Sequence, residues 1–218
     1  MDDALRSRLA EILGPGGVDS SGTVLTPADA SSLAAAVRVC AQATVAIQPR
    51  SGPASGAGDA AVTISLNRLA AVEMHGPSLT VRAEAGAGVA ALRSAVEVAG
   101  LAFAAEIGTG SRGAGHIGTL IARGGVSRRA LTGIEAVLTT GELVVAGGRM
   151  LKDVAPYDLA AALLGSQGRL AIIVSATFRL LPAGAEAPAH PPRGPFAWTP
   201  LDELVRAAFD PQGLLTGS

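Results

Sequence analysis

The spacing of apolar residues along the chain predicts two consecutive groups of helices and strands. In the first group, residues 4–13 predict a short helix, and a second helix carries an apolar stripe at every third or fourth position. The stripe consists of Leu33, Ala36, Val37 and Cys40. We place the start of this second helix at Thr26 as the N-cap, with Pro27 at the first helical position. Short apolar runs at 44–48 and 61–66 predict two strands, so this group forms a small α/β lobe.

In the second group the period changes to two. Apolar and polar residues alternate over 79–84, which predicts a strand with one solvated face, and residues 71–74 predict its hairpin partner. The further predicted elements are a helix at 89–96, strands at 101–105, 133–139 and 142–147, a helix from Pro156 to about Leu164, and a strand at 170–180. Hairpins with flanking helices predict an antiparallel sheet packed against helices. We therefore assign residues 1–75 to the α/β lobe and residues 76–182 to the second, α+β lobe.

The last segment, residues 183–218, has a different composition. It begins with a Pro/Ala-rich stretch over 183–197, which predicts a linker. An amphipathic pattern over about 200–209 then predicts a final helix.

Composition and charge exclude several classes of function. Hydrophobic residues make up 49% of the 218 residues, charged residues 16% and aromatic residues 3%, so the core is built from small aliphatic side chains. We expect apolar surface patches and a stable protein partner. The net charge of -1 gives no reason to expect a nucleic-acid partner. With Cys40 as the only cysteine, the chain cannot form an internal disulfide or a cysteine-based iron–sulfur or zinc site.

The sequence also predicts where the protein resides. No uncharged run reaches the length of about 18 residues that a membrane span needs. The acidic start of the chain does not resemble a signal peptide. We expect a soluble, cytoplasmic protein without a transmembrane segment.

Two glycine-rich loops, residues 49–56 and 107–118, carry the candidate chemistry. The run from Gly108 to Gly113 matches the dinucleotide fingerprint GxGxxG, but only a short, glycine-broken segment follows it. Because the fingerprint requires a helix of several turns and a later strand ending in an acidic residue, we disfavour a Rossmann fold. Backbone N–H groups in such loops can instead form an anion-binding nest, with a dinucleotide diphosphate between the two loops. The alternative is that both loops are ordinary surface turns.

Several motifs in collinear order then point to a family. They are Pro49-Arg50-Ser51-Gly52, Asn67-Arg68-Leu69, residues 81–88, Ile117-Gly118, residues 133–137, Gly147-Gly148-Arg149, residues 152–159 and residues 164–170. With these motifs the chain resembles the FAD-binding domain of the vanillyl-alcohol oxidase / p-cresol methylhydroxylase (PCMH) family. The run Lys-Asp-Val-Ala-Pro-Tyr-Asp-Leu at 152–159 is most similar to the E subunit of glycolate oxidases. The resemblance covers about residues 20–182.

The resemblance implies an α+β, two-lobed PCMH-type fold that binds FAD noncovalently. It also implies that the substrate-binding (cap) domain is absent, because only the linker stands in its place and residues 207–215 resemble the segment that closes full-length members. The residues implied in FAD binding are Arg50, Ser51, Gly52, Ala54, Ser55, Gly108, Thr109, His116, Gly118, Ile172 and Ile173. The backbones of Ile172 and Ile173 are expected near the adenine and those of the glycine loops near the diphosphate. His116 is either a flavin contact or a solvated loop residue.

The chain departs from the family pattern in both loops. Pro53, which lacks an N–H, stands in the first loop where glycine is usual, and Thr119 replaces a glycine in the second. Lys152, Tyr157 and Asp158 form a possible acid–base set, but a structural role at a helix start explains them better. No metal cluster or nucleophile–base arrangement is evident in the sequence, so catalytic residues stay unassigned.

These features predict an FAD-binding subunit of a glycolate-oxidase-like complex that oxidises a 2-hydroxy acid. The partners implied are a flavin-containing subunit and an iron–sulfur subunit. Two alternatives stay open, a flavin-free assembly subunit derived from the same family and a free-standing flavin reductase of the same fold. We do not expect the chain to be active alone.

Overall fold

A computed structural model describes residues 2–52, 61–108, 115–147, 158–185, 191–192 and 194–217. Its helices are α1 (Asp3–Leu13), α2 (Ala30–Gln42), α3 (Val89–Val98), α4 (Ile117–Ala122), α5 (Leu159–Leu163) and α6 (Pro200–Phe209). Its strands are β1 (Val24–Leu25), β2 (Ile47–Arg50), β3 (Val62–Ser65), β4 (Val72–His75), β5 (Thr80–Glu84), β6 (Leu101–Phe103), β7 (Leu131–Val137), β8 (Leu143–Gly147) and β9 (Ile172–Pro182). Within these described residues, none of the helices has both the length and the apolar character of a membrane span.

The first lobe is a three-stranded parallel sheet in the order β1-β3-β2, with α1 and α2 packed together beside it. In this sheet Ile47 pairs with Val62, and Arg50 pairs with Ser65 at the far end of the same two strands. Leu9 on α1 and Leu33 on α2 are fully buried and join the sheet to one hydrophobic core. The predicted α/β architecture is confirmed. The sequence did not predict strand β1, because a strand of two residues is too short to show a periodic pattern.

Helix α2 begins at Ala30, three residues later than the predicted first helical residue, Pro27. Asp29, not Thr26, is the N-cap: its carboxylate accepts a hydrogen bond of 2.7 Å from the backbone N–H of Ser32, and the Asp29 N–H donates back to the Ser32 hydroxyl. The backbone N–H of Thr26 instead donates to the Gly17 carbonyl over 2.7 Å, which holds Thr26 at the exit of β1. The Thr26 assignment is therefore wrong, because the reciprocal cap at Asp29 satisfies the first turn of the helix better.

The second lobe is an antiparallel sheet in the order β4-β5-β9-β7-β8, with β6 paired to the far end of β9. Strand β9 lies at the centre and is buried along most of its length, as its continuous apolar run predicts. A register shift between Glu135 and Ala136 of β7 bulges the opposite strand, so that Ile173 pairs with Ala136 while Ser175 pairs with Glu135. Both Ile173 and Ser175 are buried, and Ser175 forms a hydrogen bond with Glu135.

Several predicted boundaries in this lobe differ from the structure. Helix α5 begins at Leu159 with Asp158 as its N-cap, and not at Pro156, because the Asp158 carboxylate accepts the Ala161 N–H. Strand β7 spans Leu131–Val137 instead of 133–139, because the turn into β8 begins after Val137. The loop predicted at 107–118 ends earlier, since α4 starts at Ile117. With parallel and antiparallel sheets and packed helices, the predicted α+β class is confirmed.

The C-terminal residues return to the first lobe. Leu214 and Leu215 are almost fully buried, and the Ile47 N–H donates to the Leu214 carbonyl over 2.8 Å, so the tail extends the parallel sheet beside β2. The carboxylate of Asp210, itself 3% exposed, accepts the backbone N–H groups of Leu214 and Leu215 at 2.9 and 2.8 Å. The Thr139 hydroxyl donates to the Phe209 carbonyl over 3.1 Å. The tail thus connects the parallel sheet to the β7–β8 turn.

Candidate functional site

The end of β2 and the start of α4 meet in the interior and bring together the first residues of one glycine loop and the last residues of the other. A Cβ atom added to Gly118 would overlap the hydroxyl of Ser51 and lie 3.0 Å from the Ala85 methyl group. A Cβ atom added to Gly52 would lie 2.6 Å from Cε1 of His116. Glycine is therefore what permits the close approach at both positions.

The sheet register fixes the first loop at its start. The Leu66 N–H donates to the Arg50 carbonyl over 2.8 Å, and the buried hydroxyl of Ser65 donates to the Gly52 carbonyl over 3.0 Å. Ser65 was not among the predicted site residues. The signal that could have identified it is a serine at the buried end of a strand, where a hydroxyl must find a partner.

The turn between β5 and α3 fixes the second loop at its end. The Ile117 N–H donates to the Ala87 carbonyl and the Gly118 N–H to the Ala85 carbonyl, both over 2.9 Å. The Gly118 N–H is therefore already hydrogen-bonded within the protein. What Gly118 contributes at this point is the absence of a side chain. The Gly108 N–H also donates within the protein, to the Gly125 carbonyl over 2.7 Å.

The structure brings together five of the predicted site residues. Ser51, Gly52, His116, Gly118 and Ile173 lie around the meeting point of β2, α4 and β9.

The other predicted residues are placed differently. Gly108 lies beside Gly125, at the opposite end of α4 from His116. The side chain of Arg50 is exposed, and Ile172 pairs with Val137 on β7. The predicted contacts of Ala54, Ser55 and Thr109 lie outside the described residues.

A small cavity marks the meeting point. It has a volume of about 20 Å³, which is close to the space of one water molecule. The described residues of its lining are uncharged; they are Pro49, Ser51, Leu66, Gly118, Ala122, Gly168, Ala171 and Ile173. A dinucleotide therefore cannot lie inside it, and only one small group can enter while the remainder lies across the mouth.

A cluster of charged side chains lies on the antiparallel sheet of the second lobe. Arg82 forms an ion pair of 2.7 Å with Glu135 and lies within 4 Å of the carboxylates of Glu73 and Glu84. Burial raises the pKa of Glu135, but hydrogen bonds from Arg82 and Ser175 lower it by more than burial raises it. The pKa therefore lies below its ordinary value. This cluster joins β4, β5 and β7, and none of its residues is among the described residues that line the cavity.

Of the predicted acid–base set, Asp158 alone is described. Its carboxylate accepts the Ala161 N–H at the start of α5 over 3.0 Å and forms an ion pair of 2.7 Å with Arg128. These contacts support the structural role for Asp158. Lys152 and Tyr157 lie outside the described residues. Across the described ranges, no group of three or more His, Cys, Asp or Glu side chains is placed to hold a metal ion.

Comparison with known proteins shows that the chain is similar to FAD-binding proteins. Residues 22–152 match the family model described as "FAD binding domain". Glycolate oxidase subunit GlcD of Bacillus subtilis is 43% identical over 58 residues, which are 27% of this chain and 12% of that protein. D-lactate dehydrogenase of Archaeoglobus fulgidus is 26% identical over 170 residues, which are 73% of this chain and 38% of that protein.

Solved structures show the same fold. Chitooligosaccharide oxidase aligns with a TM-score of 0.63 at 20% identity, covering 83% of this chain and 44% of that chain. Berberine bridge enzyme aligns with a TM-score of 0.61 at 18% identity, covering 81% and 37%. This chain thus spans 38% or less of the curated relatives named above.

The residues at the meeting point fit a flavin dinucleotide. Ser51 supplies a hydroxyl, and none of the described residues that line the cavity carries a carboxylate that would repel a diphosphate. FAD is therefore the cofactor that both the site and the comparisons support. The chain belongs to the family of FAD-binding domains, in the two-lobed PCMH-type form, and is related to glycolate oxidase and to the D-lactate and D-2-hydroxyglutarate dehydrogenases.

Proposed function

We propose that this chain is the FAD-binding subunit of a glycolate-oxidase-like complex that oxidises a 2-hydroxy acid. A flavin-containing subunit and an iron–sulfur subunit are its proposed partners, and its own FAD is held noncovalently. The observation that carries the proposal is a two-lobed FAD-binding fold in a chain that spans 38% or less of curated relatives such as D-lactate dehydrogenase. In this proposal a partner binds the substrate.

The residues of this chain would hold the cofactor without any ionised side chain in the cavity. Ser51 offers a hydroxyl at the end of β2, where Gly118 lets Ser51 pack closely against α4 and Gly52 does the same for His116. When bound, FAD supplies a two-electron acceptor for the C–H bond of a hydroxy acid. Among the described residues that line the cavity, none has a titratable side chain that could act as a base toward a substrate. The proposal therefore assigns proton abstraction to the substrate-binding partner.

The test is to purify the full chain alone and together with its partners. We expect a flavin absorption spectrum with about one FAD per chain and no turnover of glycolate or D-lactate by the chain alone. With its partners, reduction of an artificial electron acceptor by a 2-hydroxy acid should appear. Turnover by the isolated chain would contradict the division of labour proposed here.

The second candidate is a non-catalytic assembly subunit of the same kind of complex. It is favoured by the small cavity volume of about 20 Å³ and by the Gly108 and Gly118 amides, which already donate to protein carbonyls. A Gly52→Asp chain separates the two candidates, since the new carboxylate opposes a diphosphate while the fold has only the His116 side chain to displace. If the complex forms around this variant and keeps its full turnover rate, the role is assembly. If turnover falls while the complex still forms, the FAD of this chain takes part.

A further inference from the structure

A short stretch after the second lobe, residues 194–198, lies across one side of the site, and we call it the strap. The Gly194 N–H donates to the Gly124 carbonyl and the Phe196 N–H to the Gly165 carbonyl, both over 2.9 Å. The Gly194 carbonyl lies so close to Gly124 and Gly165 that a Cβ atom at either glycine would meet it. The strap therefore joins the end of α4 to the turn after α5 by main-chain contact.

The turn that contains Gln167 contacts the strap and has an unfavourable backbone conformation, so contacts that hold it in place matter. Gln167 has a φ of 57°, a left-handed conformation that a residue with a side chain adopts only at a cost in free energy. Its N–H donates to the Ala122 carbonyl over 2.7 Å, and its side-chain amide donates to the Phe196 carbonyl over 3.0 Å. The left-handed turn is thus held from α4 on one side and from the strap on the other.

Aromatic contacts close the outer side of the strap. The Arg169 guanidinium lies 5.2 Å from the centroid of the Trp198 ring, within the range of a cation–π contact. The rings of Phe196 and Trp198 meet edge to face with centroids 6.0 Å apart. The indole N–H of Trp198 is buried without a hydrogen-bond partner in the described part of the chain. Packing and the Arg169 contact therefore hold the ring in place.

The turn held by the strap is one wall of the cavity. Gly168 and Ala171 line the cavity, and the strap contacts the residues on either side of Gly168. Ala122, which receives the Gln167 N–H, lines it as well. In a space of about one water molecule, a small shift of this wall changes what can enter.

We infer that the strap sets the position of the wall at 168–171 for FAD binding, with Arg169 and Trp198 as positioning residues. The inference rests on the FAD site proposed above. It extends that proposal because it assigns a function to a segment that follows both lobes.

The experiment titrates FAD into four full-length chains: wild type, Trp198→Ala, Trp198→Phe and Arg169→Met. Flavin fluorescence gives the Kd, and visible circular dichroism at saturating FAD reports the surroundings of the bound ring. We expect Trp198→Ala to weaken FAD binding about threefold to tenfold and to change the dichroism, because the cation–π contact and the ring packing are both lost. Trp198→Phe should restore the Kd to within about twofold, since it keeps an aromatic face. Arg169→Met keeps the aliphatic stem and should weaken binding about twofold to fivefold.

The matched control is Leu204→Ala, because Leu204 is 69% exposed on α6, a few residues after the strap. It should leave both the Kd and the dichroism unchanged. A Trp198→Ala chain that unfolds at a lower temperature but binds FAD with the wild-type Kd and spectrum would overturn the inference. If that variant does not fold, an unchanged Kd for Arg169→Met overturns it instead. A wild-type chain that takes up no FAD would overturn the cofactor site itself, and the inference with it.

Discussion

The two sheets of this protein are completed in different ways. In the antiparallel sheet, β4 and β5 form one hairpin and β7 and β8 another, and the central strand β9 joins the two hairpins. The parallel sheet needs the residues around Leu215, which reach β2 from the far end of the chain. The site lies where these sheets meet, so its first loop depends on a sheet edge that the C-terminal tail covers. The difference predicts that changes in the tail and at the junction destabilise the protein more than changes on the antiparallel sheet.

The largest effect is expected at the tail. Asp210→Ala removes a carboxylate that accepts two buried N–H groups, those of Leu214 and Leu215. Leaving two such donors without partners should lower the free energy of unfolding by about 2–4 kcal/mol. The control is Asp2→Ala, which removes an exposed cap on the Leu5 N–H and should cost about 1 kcal/mol. Urea denaturation followed by circular dichroism measures both, and an Asp210→Ala loss no greater than that of Asp2→Ala would contradict the role of the tail.

The next effect is expected at the junction of the lobes. Glycine to alanine in an open helix position stabilises a protein by about 1 kcal/mol. At Gly118, however, the new methyl group would overlap the Ser51 hydroxyl, so Gly118→Ala should destabilise by about 1–3 kcal/mol.

A second substitution at the same contact sharpens this test. Ser51→Gly in the Gly118→Ala chain should recover at least about 0.5 kcal/mol, because it removes the hydroxyl that the methyl group meets. Strictly additive effects in the thermal unfolding of the four chains would show that these residues do not touch.

The smallest effect is expected on the polar face of the antiparallel sheet. Because the pKa of Glu135 is lowered in the folded protein, the ionised form stabilises the fold above the ordinary carboxylate pKa. That contribution is lost as the pH falls through the lowered pKa, so unfolding below about pH 4 should become easier. Glu135→Gln should remove this part of the pH dependence, which we place under about 1 kcal/mol for a partly exposed pair. Unfolding curves measured from pH 7 to pH 3 that coincide in shape for both chains would argue against it.

Local patterns predicted most of the antiparallel sheet. Alternation along β5 and the long apolar run of β9 are periodic signals that need no knowledge of distant residues. The predicted start of α2 was wrong because Thr and Asp are both favourable N-cap residues, so the residue types of Thr26 and Asp29 do not decide between them. Only the hydrogen bonds to Ser32 distinguish them.

The site was predictable only in part, since its contacts are long-range. Motifs identified both glycine loops, yet the Ser65 bond to Gly52 depends on strand register. Likewise, the engagement of the Gly118 amide depends on where the turn after β5 lies. The strap contacts join residues 124 and 165 to 194–198, a pairing that no period in the sequence encodes. Contacts of this kind follow from the packed fold and not from neighbouring residues.

The central claim is that FAD lies against the junction of the two glycine loops. Equilibrium dialysis of FAD against wild type, Gly52→Asp and Val98→Asp tests it most directly, because Val98 is 86% exposed on α3 and receives the same new charge. We predict that Gly52→Asp weakens binding by about a hundredfold or more through repulsion of the diphosphate, while Val98→Asp binds as wild type does. Equal FAD affinity in a folded Gly52→Asp chain and the wild type would contradict the account.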